Sequence, residues 1–430
     1  MSTSPLSRSA LGHFAARLVS VALGLAIVVV VARQGPQQQG AFSLLVATEA
    51  VFVALFSGLG LVIARQVSHH REAAAAWLPG ALALAVAGGL AGSAAFAAAA
   101  WGLRGDPAYR FLPLLALAAP LLLLTSTVSG LYLGQGRMGP INGLSIAPPA
   151  LALLLLGGLA LGGQGLGLLA VAGVWLAARA VVGVAAALLA LRAGGPAPQG
   201  RAAWRAQAGF CVVVGLTNLV SWLNYRVDLF VVERFAGLGE AGIYSVAVTA
   251  AELLWFVSSS VSAATYARIG APDAAQAAQL TVRVVHLNLA ILLLASPVLV
   301  AVAAWLLPAL LGPAYGRSVP LLLLLLPGTW AYAAASTLSA FYTNFLGRPQ
   351  LSAAVAGVSL LINIAVCAWL VPRLGAAGGA LATSASYLLA IVWGLVLFRR
   401  HAGLRWAEVL RPHPGRLLAD LLAPLRRAGR

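Results

Sequence analysis

Six ionisable side chains stand where an apolar chain should carry none: Arg17, Glu49, Arg179, Arg226, Asp228 and Glu252. Arg283 and His286 lie nearer the end of a further apolar run. A charge at the centre of a hydrocarbon layer costs at least ~2.5–3.5 kcal/mol, so such groups face protein or a wet cavity, where they pair or bind. Arg17, Arg179 and Arg226 are guanidinium groups, planar donors that match a phosphate or carboxylate bidentately. Glu49, Asp228 and Glu252 suit either of two tasks. They can neutralise those cations, or they can hold a coupling cation or proton.

Long apolar helices must position these groups. The chain is 61% hydrophobic and 9% charged, far from the roughly 25% charged residues of soluble domains. Continuous Leu- and Ala-rich runs of about twenty residues exclude alternating barrel strands and fit helices that cross a bilayer. Twelve spans are predicted, near 10–32, 41–63, 77–102, 110–133, 141–162, 166–191, 207–234, 242–266, 281–311, 318–345, 351–371 and 377–398. Joints rich in Gly, Pro and polar residues separate them. The N-terminal run is taken as a first span, not a cleaved signal, because the internal repeat described next requires it.

Two stretches recur about two hundred residues apart. Gly35-x4-Gly40-Ala-Phe42-Ser43 is matched by Gly237-x4-Gly242-Ile-Tyr244-Ser245, and Arg110-x2-Pro113-x6-Pro120 by Arg317-x2-Pro320-x6-Pro327. Two halves of one design are present. The expected fold is therefore an all-α polytopic membrane protein, twelve transmembrane helices in two six-helix pseudo-symmetric bundles. The predicted divisions are a first bundle at 1–192, a cytoplasmic linker at 193–206, a second bundle at 207–400 and a basic amphipathic tail at 401–430. Six spans per half is even, so the repeat is parallel, with two bundles facing each other across a cleft.

The net charge of +17 reflects topology and not nucleic-acid binding, because the arginines fall between apolar runs without interleaved aromatics. Their excess on the side of the even-numbered joints predicts cytoplasmic termini. Cys211 and Cys367 both sit inside apolar runs, so neither a disulfide framework nor a metal site is expected. Gly58-x-Gly60, Gly162-Gly163 and Gly378-Gly379 are expected to permit close helix packing. Trp255, Phe256, Trp330, Tyr332, Phe341 and Tyr342 are either core or a sugar-binding surface.

Depth along an antiparallel hairpin sorts the charges. Arg226 and Glu252 flank the turn near residue 239 at similar depth and are expected to pair. Asp228, two residues from Arg226, points to another face, for a structural hydrogen bond or for coupling. Arg17 is level with Gly58, roughly 13 Å from Glu49 at helical rise, and Arg179 is level with Pro148 and Pro149. Neither has a counter-ion in its own hairpin, so each pairs across helices or awaits an anionic ligand.

Four stretches carry a family resemblance: F-A-A-R-L-V-S-V-A-L-G-L in span one, G-P-Q-Q-Q-G-A-F-S in the first turn, R-V-D-L-F-V-V-E-R-F-A-G-L-G-E-A-G-I-Y-S-V-A, and V-P-R-L-G-A-A-G-G-A-L-A-T-S-A-S-Y. Over residues 10–400 the chain resembles the multidrug/oligosaccharidyl-lipid/polysaccharide (MOP) exporters, and within them the bacterial polysaccharide repeat-unit (Wzx-type) flippases. The resemblance implies a MATE-like, V-shaped pair of bundles working by alternating access in the cell inner membrane. The implied cargo is an undecaprenyl-diphosphate-linked oligosaccharide, with Arg17, Arg179 and Arg226 as diphosphate contacts. Glu49, Asp228 and Glu252 are then coupling or structural ion-pair residues. No cofactor is implied beyond coupling to a proton, sodium or the membrane potential. Partners would be membrane lipid and polysaccharide polymerase or assembly proteins. Thr265-Tyr266 departs from the proline that relatives often carry there, and the two extra spans of lipid II flippases are not visible.

Two other functions compete. A cation-coupled multidrug exporter on the same fold would use the acids and aromatics. A membrane glycosyltransferase, polymerase or ligase would need paired carboxylates on a sizeable outer loop, and the outer joints here are short.

Overall fold

The computed structural model describes residues 5–70, 72–163, 166–192, 198–269 and 273–411, and no strand occurs among them. Among the described residues fourteen α-helices follow one another: α1 (Pro5–Ala32), α2 (Pro36–Leu55), α3 (Gly58–Ser68), α4 (Ala74–Gly102), α5 (Leu112–Gly134), α6 (Met138–Leu161), α7 (Leu168–Arg192), α8 (Arg201–Ala236), α9 (Leu238–Ile269), α10 (Ala274–Leu311), α11 (Ser318–Ala340), α12 (Pro349–Leu374), α13 (Ala376–Ala402) and the short α14 (Trp406–Leu410). Eleven spans among the described residues are long and apolar enough to cross a membrane. Helix α9, with 32 residues, rises roughly 48 Å. The chain divides into two compact units, Met1–Trp222 and Leu223–Arg430, and α8 runs unbroken across their boundary. Of the expected amphipathic tail residues 401–411 are described, with α14 among them, and residues 193–197 of the expected linker and 412–430 of the tail lie outside the described residues.

The expected second span is two helices, not one. After Leu55 the N–H groups of Phe56 and Ser57 bond back three residues instead of four, to Val53 and Ala54, each at 3.2 Å. The Ser57 hydroxyl donates to the Ala54 carbonyl and accepts from Asn218 Nδ2 at 2.7 Å. Backbone contact with α8 fixes the place of the break. A Cβ at Gly58 would lie 2.4 Å from the Cys211 carbonyl oxygen, and one at Gly215 would lie 2.1 Å from that of Leu55. Sequence periodicity is blind to this interruption, because both pieces remain apolar and in line.

Each unit is built on one central helix entered through a short 3₁₀ turn. In the first unit α5 packs on α3, α4 and α7; in the second α11 packs on α9, α10 and α13. Proline interrupts both, at Pro120 and Pro327. Pro120 has no N–H for the Ala116 carbonyl, which instead accepts the Ser93 hydroxyl at 2.6 Å. On α11 the Ser384 hydroxyl stands in the ladder step next to Pro327, accepting from the Gly328 N–H at 3.3 Å and donating to the Leu324 carbonyl at 2.5 Å. Neighbouring helices thus meet the polar need that proline creates, as they must without water.

The repeat extends to how helices touch, though the chemistry differs. Twenty residues beyond the turn glycine stand Gly60 and Ser262, and ten beyond the central proline stand Gly130 and Thr337. In the first unit a Cβ at Gly130 would lie 2.0 Å from the Gly60 carbonyl oxygen, so the backbones meet directly. In the second, Ser262 and Thr337 join hydroxyls at 3.0 Å. Close glycine packing also holds at Gly378 and Gly379, against Leu370 and Val232. It does not hold at Gly162 and Gly163. These end α6, where Gly163 takes φ 72° and no other helix comes near.

Candidate functional site

In the first unit α2 and α7 bring Glu49, Trp175 and Arg179 together. Glu49 is 2% exposed. One carboxylate oxygen accepts from Trp175 Nε1 at 2.7 Å and the other pairs with Arg179 Nε. The Arg179 guanidinium lies over the Trp175 ring, 5.4 Å from its centroid, a cation–π contact. Its side chain stays 31% exposed while that of Glu49 is 2% exposed. The anionic end of the pair is hidden and the cationic end is presented. Arg179 therefore has a counter-ion across helices, the first of the two possibilities that depth left open. Reasoning by hairpin missed the partner because α2 and α7 are distant in sequence. The available signal was Trp175-x3-Arg179, one turn apart on one face.

Arg17 is exposed on α1. Two contacts on its own face of the helix pin α1 to α6: His13 Nδ1 with Asn142 Oδ1 at 2.7 Å, and the Ser20 hydroxyl donating to the Ser145 carbonyl at 2.9 Å.

In the second unit Arg226 pairs bidentately with Glu252, at 2.9 and 3.0 Å, as their matched depth predicts. The partners are similarly exposed, 25% and 22%, so this pair presents neither sign. Asp228, 2% exposed, accepts from Tyr244 Oη and Thr383 Oγ1, both at 2.6 Å, and from the Leu229 N–H at 2.8 Å. Three donors around one carboxyl group satisfy its hydrogen-bonding capacity away from water.

Beside these groups lies an aromatic cluster. Tyr332 stacks on Tyr387 with centroids 4.6 Å apart, and Trp255 packs 5.2 Å from Tyr225, whose hydroxyl meets that of Tyr332 at 3.1 Å. Of the aromatics singled out in the sequence, Trp255 and Tyr332 join it. Phe341 and Tyr342 are fully buried in a core with Phe398, against which Tyr332 also packs, and the Trp330 indole donates to Ser296 at 2.7 Å. Tyr225 and Tyr387 were not anticipated; nothing in their spacing distinguishes them from core residues.

The two sites occupy equivalent places. Phe42 and Tyr244 fill the same position of the turn motif, and Phe42 packs edge-on against Trp175 at 5.5 Å. Trp175 lies seven residues into α7 and Thr383 seven into α13; Arg179 and Tyr387 follow one turn later in each.

The whole arrangement has solved counterparts. An inward-facing multidrug resistance MATE family transporter of the MOP superfamily superposes with a TM-score of 0.72 at 16% identity, over 89% of this chain and 94% of that one. The outward-facing conformation of a MATE transporter gives 0.66 at 17% identity, over 92% and 95%. This chain has the MATE fold. A MOP superfamily transporter from Pyrococcus furiosus, described by the reversed polarity of its binding pocket, shares that fold with a TM-score of 0.62 at 17% identity, over 93% and 95%. No family model and no curated relative matches the sequence.

Proposed function

We propose that this chain is a transporter, not an enzyme, and that it moves an undecaprenyl-diphosphate-linked oligosaccharide from the cytoplasmic to the outer leaflet of the inner membrane by alternating access. Its termini are cytoplasmic in this reading. The observation that carries it is the lopsided Glu49–Arg179 pair, which hides its carboxylate and presents its guanidinium. A diphosphate is the anion such a group suits. Arg17, exposed on α1, is the second proposed head-group contact, and Arg226 the third. The aromatic cluster beside Arg226 suits sugar rings, which stack on aromatic faces. Asp228 and Glu252 serve as structural or coupling groups, with proton, sodium or membrane potential as the driving force.

The likeness to multidrug transporters supports a second reading, cation-coupled drug export, in which the buried acids do the coupling. One experiment separates them. In a strain lacking this gene, complete lipid-linked oligosaccharides are expected to accumulate on the inner leaflet, with unchanged sensitivity to cationic dyes. Normal outer-leaflet delivery together with new dye sensitivity would replace the first reading by the second. Arg17→Ala and Arg179→Ala should each slow delivery with normal membrane insertion; normal delivery by both would remove these residues from the site.

A further inference from the structure

A groove of about 850 Å³ opens in the first unit between α3, α4 and the first half of α8. It serves none of the groups above. Its walls are apolar along most of their length, with small residues such as Ala83 and Gly88 on α4 leaving the space. Its polar groups gather at one end: Gln199, Arg201, Trp204 and Arg205. No carboxylate lines it among the described residues. Glu72, which meets the groove residue Gln199 at 3.4 Å, is engaged by Trp77 Nε1 at 2.5 Å. Arg201 and Arg205 are exposed.

Depth identifies the occupant. From Arg201 to Leu216, the deepest groove residue on α8, fifteen residues rise ~22 Å, about half of a 40–45 Å bilayer with its head groups. The groove is one leaflet deep. Its charged end lies at head-group level, where Trp204 meets Trp77 edge-on at 5.1 Å, the placement typical of interfacial tryptophan. Trp204 is 9% exposed, and its indole N–H has no acceptor among the described residues. Its ring edge sits over Gly80, where a Cβ would come within 2.2 Å of Nε1.

We propose that this groove binds one anionic phospholipid from the leaflet in which α8 begins, its phosphate on Arg201 and Arg205 and an acyl chain along α4 and α8 to Leu216. The site stands apart from the cargo reading and would persist if that reading failed. Cationic side chains at an otherwise apolar groove select an anionic head group by charge complementarity.

The test uses the full chain in detergent, titrated with dioleoyl-phosphatidylglycerol or dioleoyl-phosphatidylcholine and followed by native mass spectrometry and melting temperature. One phosphatidylglycerol should be retained at least tenfold more tightly than phosphatidylcholine, and should raise the melting temperature. Arg201→Gln with Arg205→Gln should abolish the preference, and Ala83→Phe, which fills the groove, should abolish retention. Where a variant fails to fold, the wild-type comparison of the two lipids decides alone. Equal binding of both lipids overturns the proposal. So does preferential displacement by undecaprenyl phosphate, or a dimer that Ala83→Phe dissociates, which would make the occupant cargo or a second copy.

Discussion

The two units use one scaffold for opposite ends. Where the first places Phe42, Trp175 and Arg179, the second places Tyr244, Thr383 and Tyr387; where the first lets Gly60 and Gly130 touch, the second joins Ser262 to Thr337. The first unit concentrates its charge in one buried acid and one half-exposed base. The second closes Arg226 in an even, bidentate pair, surrounds Asp228 with donors, and lines the vicinity with aromatic rings. A repeated backbone therefore constrains which positions face inward and leaves open what they do there. The difference between hydroxyl and glycine contacts makes the same point for stability, since both bring helices together, one by a hydrogen bond and the other by proximity alone.

That contrast yields tests in order of size. Gly130→Ala drives a methyl into the Gly60 carbonyl and is expected to cost about 3 kcal/mol or more. Thr337→Ala at the equivalent place should cost only ~0.6–1.7 kcal/mol, the range of hydrogen bonds between membrane helices. Melting temperatures of the two variants in detergent compare them, and equal losses would erase the distinction between the two kinds of contact.

Next comes the charge pair. Glu49→Gln leaves Arg179 without its counter-charge, for which ~2–3 kcal/mol is expected, at or below the lower end for buried pairs because Arg179 reaches solvent. The double variant with Arg179→Gln should recover part of that stability. A cycle with no recovery would mean that the two side chains do not act as a pair.

Smaller again is Tyr244→Phe, which makes the second unit resemble the first at the turn motif and removes one donor from Asp228. A loss of about 1 kcal/mol is expected from one hydrogen bond to a buried acceptor. Phe42→Tyr, the reverse exchange, should give no matching gain, because Trp175 and not an acid lies against it. Last is Arg226→Lys, which keeps the charge and loses the fork. With both partners partly exposed, less than ~1 kcal/mol is expected. Oligosaccharide transport by this variant reports whether the planar geometry matters to cargo.

Much of the architecture was legible in the sequence because continuous apolar length and glycine–proline punctuation are local signals. Matched spacings gave the repeat, and matched depth gave the Arg226–Glu252 pair. Contacts between helices that are not neighbours in the chain left no such trace. Glu49 and Arg179 meet only because α2 and α7 pack together, and Asp228 finds Thr383 from a helix more than a hundred residues away. The break at Phe56 was illegible for a related reason: it falls where α8 comes against Gly58 and Leu55, a contact between helices distant in the chain.

That break also bears on how the protein loosens. Helices usually fray from their tips, where water can replace each lost bond. Here the second crossing has its thinnest backbone bonding in its interior, steadied by a single amide from Asn218. Amide exchange is expected to appear first around residues 55–58, ahead of the tips of α2 and α3, so that this crossing melts from the inside outward.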